Sequence, residues 1–220
     1  MIPFKDDNPT ERFPYITIAL IVANAIAFLI EMFHPLGQRY IVFEYGAVPS
    51  QMMSFQAGAL ADTFSSMFLH GGLFHIGGNM LYLWIFGNNI EDKLGHMGFL
   101  LFYLICGVVA AYSHALAAPG SIIPMIGASG AVSGVLGAYL LLYPFAKVHT
   151  LIFFGFFVQV VRLPAIIVIG FWAIIQLLNG IISKDLVGQG GVAWFAHIGG
   201  FLFGLLVIWI LTLNRRRNWS

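Results

Sequence analysis

The chain has 220 residues, of which 60% are hydrophobic and only 9% charged. That is too little charge to coat a soluble fold of this length, so composition places the protein in a membrane. A formal net charge of +1 leaves no basic footprint for nucleic acid, and the single cysteine, Cys106, excludes an intrachain disulfide.

Residues 1–12 are polar, carry no cleavable signal and are expected as a short cytoplasmic tail. Six apolar runs then reach the roughly 17–25 residues that cross a bilayer. The first is 13–33, followed by a semi-apolar connection, 36–72, without a clean span. The second, 73–90, is closed by Glu91, Asp92 and Lys93. The third is 98–118, stopped by Pro119 and Gly120, and the fourth is 126–145. A shorter apolar stretch, 148–161, is cut off by Arg162 and Pro164 and reads as an interfacial or re-entrant cytoplasmic segment. The fifth run is 164–182 and the sixth 192–213, with a glycine-rich loop, 183–191, between them and a basic cytoplasmic tail, 214–220, after them.

Basic residues set the orientation. With the N-terminus inside, Lys5, Arg12, Lys93, Lys147, Arg162 and Arg215 to Arg217 are cytoplasmic, and only Arg39 and Lys184 fall outside. The expected fold is therefore an all-α polytopic bundle of six transmembrane helices, residues 13–213, with both termini cytoplasmic. Helices two, four and six then enter from the outer face. The starts of these helices hold His75 and Asn79, Ser129, and His197, all at similar depth.

His75 and Asn79 are four apart and share a helix face. Ser129 sits in Gly127-Ala128-Ser129-Gly130, and small residues continue through Gly130, Ser133, Gly134 and Gly137. Gly200 and Gly204 continue the helix of His197. Two stripes without bulk let the fourth and sixth helices approach closely enough for a Ser–His hydrogen bond of about 2.6–3.2 Å. His197 would then act as general base for Ser129. No acidic residue lies in either helix, and a carboxylate there would be costly in hydrocarbon, so the pattern favours a dyad over a triad. The Ser129 N–H, near a helix N-terminus, with His75 and Asn79, would stabilise an oxyanion.

The motifs His70-x4-His75-x3-Asn79, Gly127-Ala128-Ser129-Gly130 and Ala196-His197-Ile198-Gly199-Gly200 resemble those of the rhomboid family of intramembrane serine proteases, over essentially residues 13–213. The resemblance implies Ser129 as nucleophile, His197 as base, and His75 and Asn79 as oxyanion-binding residues. It implies transmembrane helices as substrates, cut near the outer surface, with no metal or other cofactor. It further implies a substrate gate at Phe171 and Trp172 and a cap at 183–191. Two positions depart from the family pattern. The Trp-Arg pair of the first outer loop reads Ala61-Asp62, and the aromatic one turn after the serine reads Ser133, so other contacts must orient His197. His70 is expected to tie down the first outer loop, whereas His34, His96, His114 and His149 are expected at span ends or in loops.

The alternative is a catalytically silent rhomboid-like protein that binds or escorts membrane clients. A transporter finds no support in an inverted repeat or an intramembrane carboxylate, and zinc hydrolysis finds no His-Glu-x-x-His. Short tails without a transit-type extension point to a prokaryotic plasma membrane.

Overall fold

Hydrocarbon offers backbone groups no partner, so a chain this apolar satisfies them mainly within helices. The computed structural model describes residues 1–155, 157–182 and 192–217. Its elements are β1 (Ile2–Asp6), α1 (Tyr15–Phe33), α2 (Gln38–Tyr45), α3 (Pro49–Met53), α4 (Ala59–Ser66), α5 (Leu73–Leu94), α6 (His96–Ala117), α7 (Ser129–Leu142), β2 (Lys147–Phe154), β3 (Phe157–Pro164), α8 (Ala165–Ile182) and α9 (Trp194–Arg217). The protein is thus mostly helical, and α1, α6, α8 and the Trp194–Leu213 part of α9 are each long and apolar enough to cross a membrane. Two runs expected as spans do not qualify on those grounds. α5 is long enough, but His75, Asn79, Asn88, Asn89 and its charged end hold its apolarity down, and α7 has only 14 residues. The expected cap loop, 183–191, lies outside the described residues.

The expectation of an all-α chain needs correction. The described residues of 148–161, expected as an interfacial or re-entrant segment, lie in an antiparallel hairpin, β2–β3, in which Val148 faces Leu163 and Phe154 faces Phe157. Along β2, Val148 and Thr150 are buried while His149 between them is not, the period of a half-covered strand. The N-terminal segment is no free tail either. β1 pairs with β2, Ile2 opposite Leu151 and Asp6 opposite Val148, completing a sheet in the order β1-β2-β3. Asp6 accepts a hydrogen bond from the Tyr139 hydroxyl, and Asp7 accepts one from His149 Nε2 at 2.7 Å. Asp92 accepts from the N–H of Arg12 at 2.9 Å, which fixes the approach to α1.

Pro14 precedes α1 and gives it no side-chain cap. The carboxylate of Glu91 supplies it from α5, accepting the N–H groups of Ile16 and Thr17 at 2.9 and 2.7 Å and the Thr17 hydroxyl at 2.7 Å. These are the donors that a helix N-terminus leaves free, and an anion suits the dipole there. At the other end of α1, Glu31 accepts the His70 N–H at 3.0 Å. Glu31 and Glu91 are both buried, and neither lies on the helices of Ser129 and His197. Each is tolerated because several donors surround it.

α7 stands at the centre, with every residue from Gly130 to Tyr139 buried. A helix apolar on all sides belongs inside, and here α5, α6, α8 and α9 surround it. Its closest neighbour is α9. A Cβ on Gly200 would collide with the Gly130 carbonyl, and one on Gly137 with the carbonyl of Phe201. On the α6 side, a Cβ on Gly134 would lie 2.6 Å from the Cβ of Cys106. The small-residue stripes therefore bring three backbones together, as membrane packing by van der Waals contact requires.

Candidate active site

The loop before α7 is apolar but not helical. Met125 bridges to Ala47 in both directions, the Gly127 N–H donates to Ser66 O at 2.8 Å, and Gly127 adopts φ +119°. This backbone carries the chain down to Ser129, the first residue of α7, so the nucleophile candidate sits at a helix N-terminus beneath a fixed loop. Glycine is required at 127 twice over. Its φ is left-handed, and a Cβ there would lie 2.7 Å from His75 Nε2.

Ser129 Oγ and His197 Nε2 are 2.8 Å apart. The other ring nitrogen of His197, Nδ1, is 2.7 Å from Oε1 of Gln176 on α8. Trp172 and Trp194 flank the imidazole, each with its ring centre 6.1 Å away. These contacts orient His197 in the absence of an aromatic residue at 133; Ser133 instead donates back to the Ser129 carbonyl at 2.6 Å.

Ser129, His197, His75, Asn79 and Trp172 line one cavity of about 930 Å³. Among the described residues, the buried Asn79 amide nitrogen has no acceptor. His75 Nδ1 faces the Gly71 N–H at a long 3.4 Å, which leaves the Nε2 proton directed toward Gly127 and the serine. His75, Asn79 and the first turn of α7, whose N–H groups have no intrahelical partner, thus border one cavity. Phe171 is not brought to this cavity; its side chain is half exposed on the outside of α8. His70 is buried against His75, ring centres 5.1 Å apart, and its backbone is held by Glu31 and by Gln38 Nε2 at 2.6 Å.

Reading the sequence missed four cavity or site residues: Gln176, Trp194, Tyr82 and His114. His114, expected as a span-end residue, lines the cavity from α6. A signal for Gln176 existed. It lies four residues after Trp172 in a helix whose other polar side chain is Asn179, and an amide in hydrocarbon has to turn toward protein. Among the described residues, no three His, Cys, Asp or Glu side chains are grouped to hold a metal ion.

The Rhomboid domain family model matches residues 57–214, which include the cavity and every residue of the Ser–His–Gln arrangement. The chain belongs to the rhomboid family. Among similar proteins, "Presenilin-associated rhomboid-like protein, mitochondrial" of Mus musculus is 31% identical over 91% of this chain and 49% of that protein. "Rhomboid protein 1, mitochondrial" of Saccharomyces cerevisiae is 27% identical over 80% of this chain and 46% of its own length. "RHOMBOID-like protein 1" of Arabidopsis thaliana is 28% identical over 94% of this chain and 57% of its own. The chain thus spans about half the length of these relatives. Mitochondrial and plant relatives give no support to the expected prokaryotic plasma membrane, and the localisation that stands is an integral membrane protein of the rhomboid family.

Proposed function

We propose that this rhomboid is an intramembrane serine endopeptidase that cleaves transmembrane-helix substrates near the outer membrane surface. The observation that carries the reading is the 2.8 Å contact between Ser129 Oγ and His197 Nε2 inside the large cavity. Ser129 Oγ attacks the peptide carbonyl carbon as His197 Nε2 takes its proton. The resulting oxyanion is stabilised by the Ser129 N–H, Asn79 Nδ2 and His75 Nε2, and the unpartnered Asn79 donor gains an acceptor in that state. His197 returns the proton to the leaving amine. Water then hydrolyses the acyl-enzyme with His197 as base again.

The membrane domain, residues 13–213, is read as six spans, α1 and α5 to α9, with both ends cytoplasmic. The sheet supports this, because it gathers Lys5, Lys147 and Arg162 at one end of the bundle, where β1 meets α5, the helix that ends in Lys93. Trp172, at the cavity wall, is the better of the two gate residues, and lipid surrounds the bundle.

The test is incubation of purified protein with single-span model substrates, together with labelling by a fluorophosphonate probe. Wild type should cleave and label, and Ser129→Ala and His197→Ala should do neither. Absence of cleavage and labelling in wild type would favour the silent, client-binding alternative.

A further inference from the structure

His197 is held from both sides. Ser129 occupies Nε2, and at Nδ1 lies the Oε1 of Gln176, 2.7 Å away and nearly fully buried on α8. An amide oxygen only accepts, so in this pairing Nδ1 carries the ring proton and Nε2 turns a lone pair toward the serine hydroxyl. The reversed amide would offer N–H to Nδ1. The ring proton would then sit on Nε2, and the imidazole would donate to Ser129 instead of accepting from it. Base competence therefore depends on which face of one amide meets the ring.

We propose that Gln176 is the positioning residue that sets the tautomer and orientation of His197, a neutral amide in the place where water-soluble Ser–His hydrolases hold a carboxylate. This rests on the peptidase reading. The membrane explains the choice of group, since an ionised carboxylate at this depth carries a large desolvation cost that an amide acceptor avoids. The supporting geometry belongs to α8. Trp172, one turn before Gln176, flanks the same ring, and Gly180, one turn after, faces α9, where a Cβ would come within 3.3 Å of Ile198. A slide of α8 by about 1 Å away from α9 would take the acceptor beyond hydrogen-bond range. The alignment of the base is thus tied to the docking of α8.

The experiment compares wild type, Gln176→Met and Gln176→Glu in fluorophosphonate labelling of Ser129 and in kcat and KM on a single-span substrate. Met keeps the bulk and suits an apolar wall; Glu, its carboxyl kept neutral by the same desolvation, keeps a carbonyl acceptor. Gln176→Met should lower the labelling rate and kcat by about 10–100-fold at unchanged KM, and Gln176→Glu should stay within about fivefold of wild type. A packing role predicts the opposite order, and that order, or undiminished labelling of Gln176→Met in a labelling wild type, overturns the assignment of Gln176 alone. A wild type that does not label overturns the peptidase reading with it. A second measurement needs no variant at 176. Nitrogen-15 spectra of histidine-labelled wild type, with His197 assigned through His197→Ala, should show Nδ1 protonated and Nε2 bare; the other tautomer overturns the proposal.

Discussion

Gly204 of α9 and Gly134 of α7 meet so closely that a Cβ on Gly204 would run into the Gly134 carbonyl. The two helices that touch there are the ones that carry His197 and Ser129. Gly204→Ala should therefore push them apart, slow fluorophosphonate labelling of Ser129 at least tenfold and destabilise the protein by about 1–3 kcal/mol. Gly170→Ala on α8, where a Cβ meets nothing within 4 Å, is the control and should leave both unchanged. Thermal unfolding in detergent beside labelling kinetics checks the pair, and normal labelling of Gly204→Ala would separate helix spacing from the site.

Asn79 should show activity and stability moving independently. Its buried amide nitrogen has no acceptor among the described residues, so Asn79→Ala removes an unsatisfied donor. Turnover should fall by about 10²–10³ at unchanged KM while the melting temperature holds or rises. A drop of several degrees in melting would make Asn79 a packing residue instead.

Glu91 is expected to be a stability residue with no catalytic share. Gln at this position keeps the size but turns an NH₂ toward donors at Ile16 and Thr17. Glu91→Gln should cost about 1–3 kcal/mol, and hydrogen exchange should speed up first in the opening turn of α1. Protection that is lost equally along α1 would contradict a capping role.

Asp6 and Asp7 should respond to acid with opposite signs. Burial holds the Asp6 carboxyl above the usual carboxylate range, so the folded state binds that proton more tightly than the unfolded chain does. The stability linked to Asp6 therefore rises as pH falls through its raised folded value. The hydrogen bond from His149 holds Asp7 below the usual range. Its contribution is complete above about 3.9, the unfolded value, and is lost as pH falls through the lower folded one. Asp6→Asn should keep or raise the melting temperature at neutral pH and abolish the acid-side gain, whereas Asp7→Asn should lower it. Equal losses in both variants at neutral pH would refute the sign given to Asp6.

The catalytic candidates were legible because each sits within the first two turns of its helix, and Ser129 and His197 lie beside glycines that let α7 and α9 approach closely. Ser129, His197, His75 and Asn79 could be placed at one depth from span order alone. The sheet was not legible in the same way. Hydropathy alone cannot tell 148–161 as a hairpin from 148–161 as a short apolar helix; the decisive partner, Ile2–Asp6, is at the far end of the chain. Gln176 was hidden for another reason. Its helix reads as lipid-facing over most of its surface, and a single inward amide changes the apolar average very little.

Ile2 pairs with Leu151 and Asp6 with Val148, so β1 has to wait for partners made more than a hundred residues later. At about 5–20 residues per second the delay is roughly 10–30 s. Throughout that interval β1 has an edge without its partner while α1 and α5 to α7 are being made. Tyr139, the anchor for Asp6, arrives only with the central helix. The beginning of the chain is thus among the last parts to find its place, and closure of the sheet reports that α7 has already been laid down.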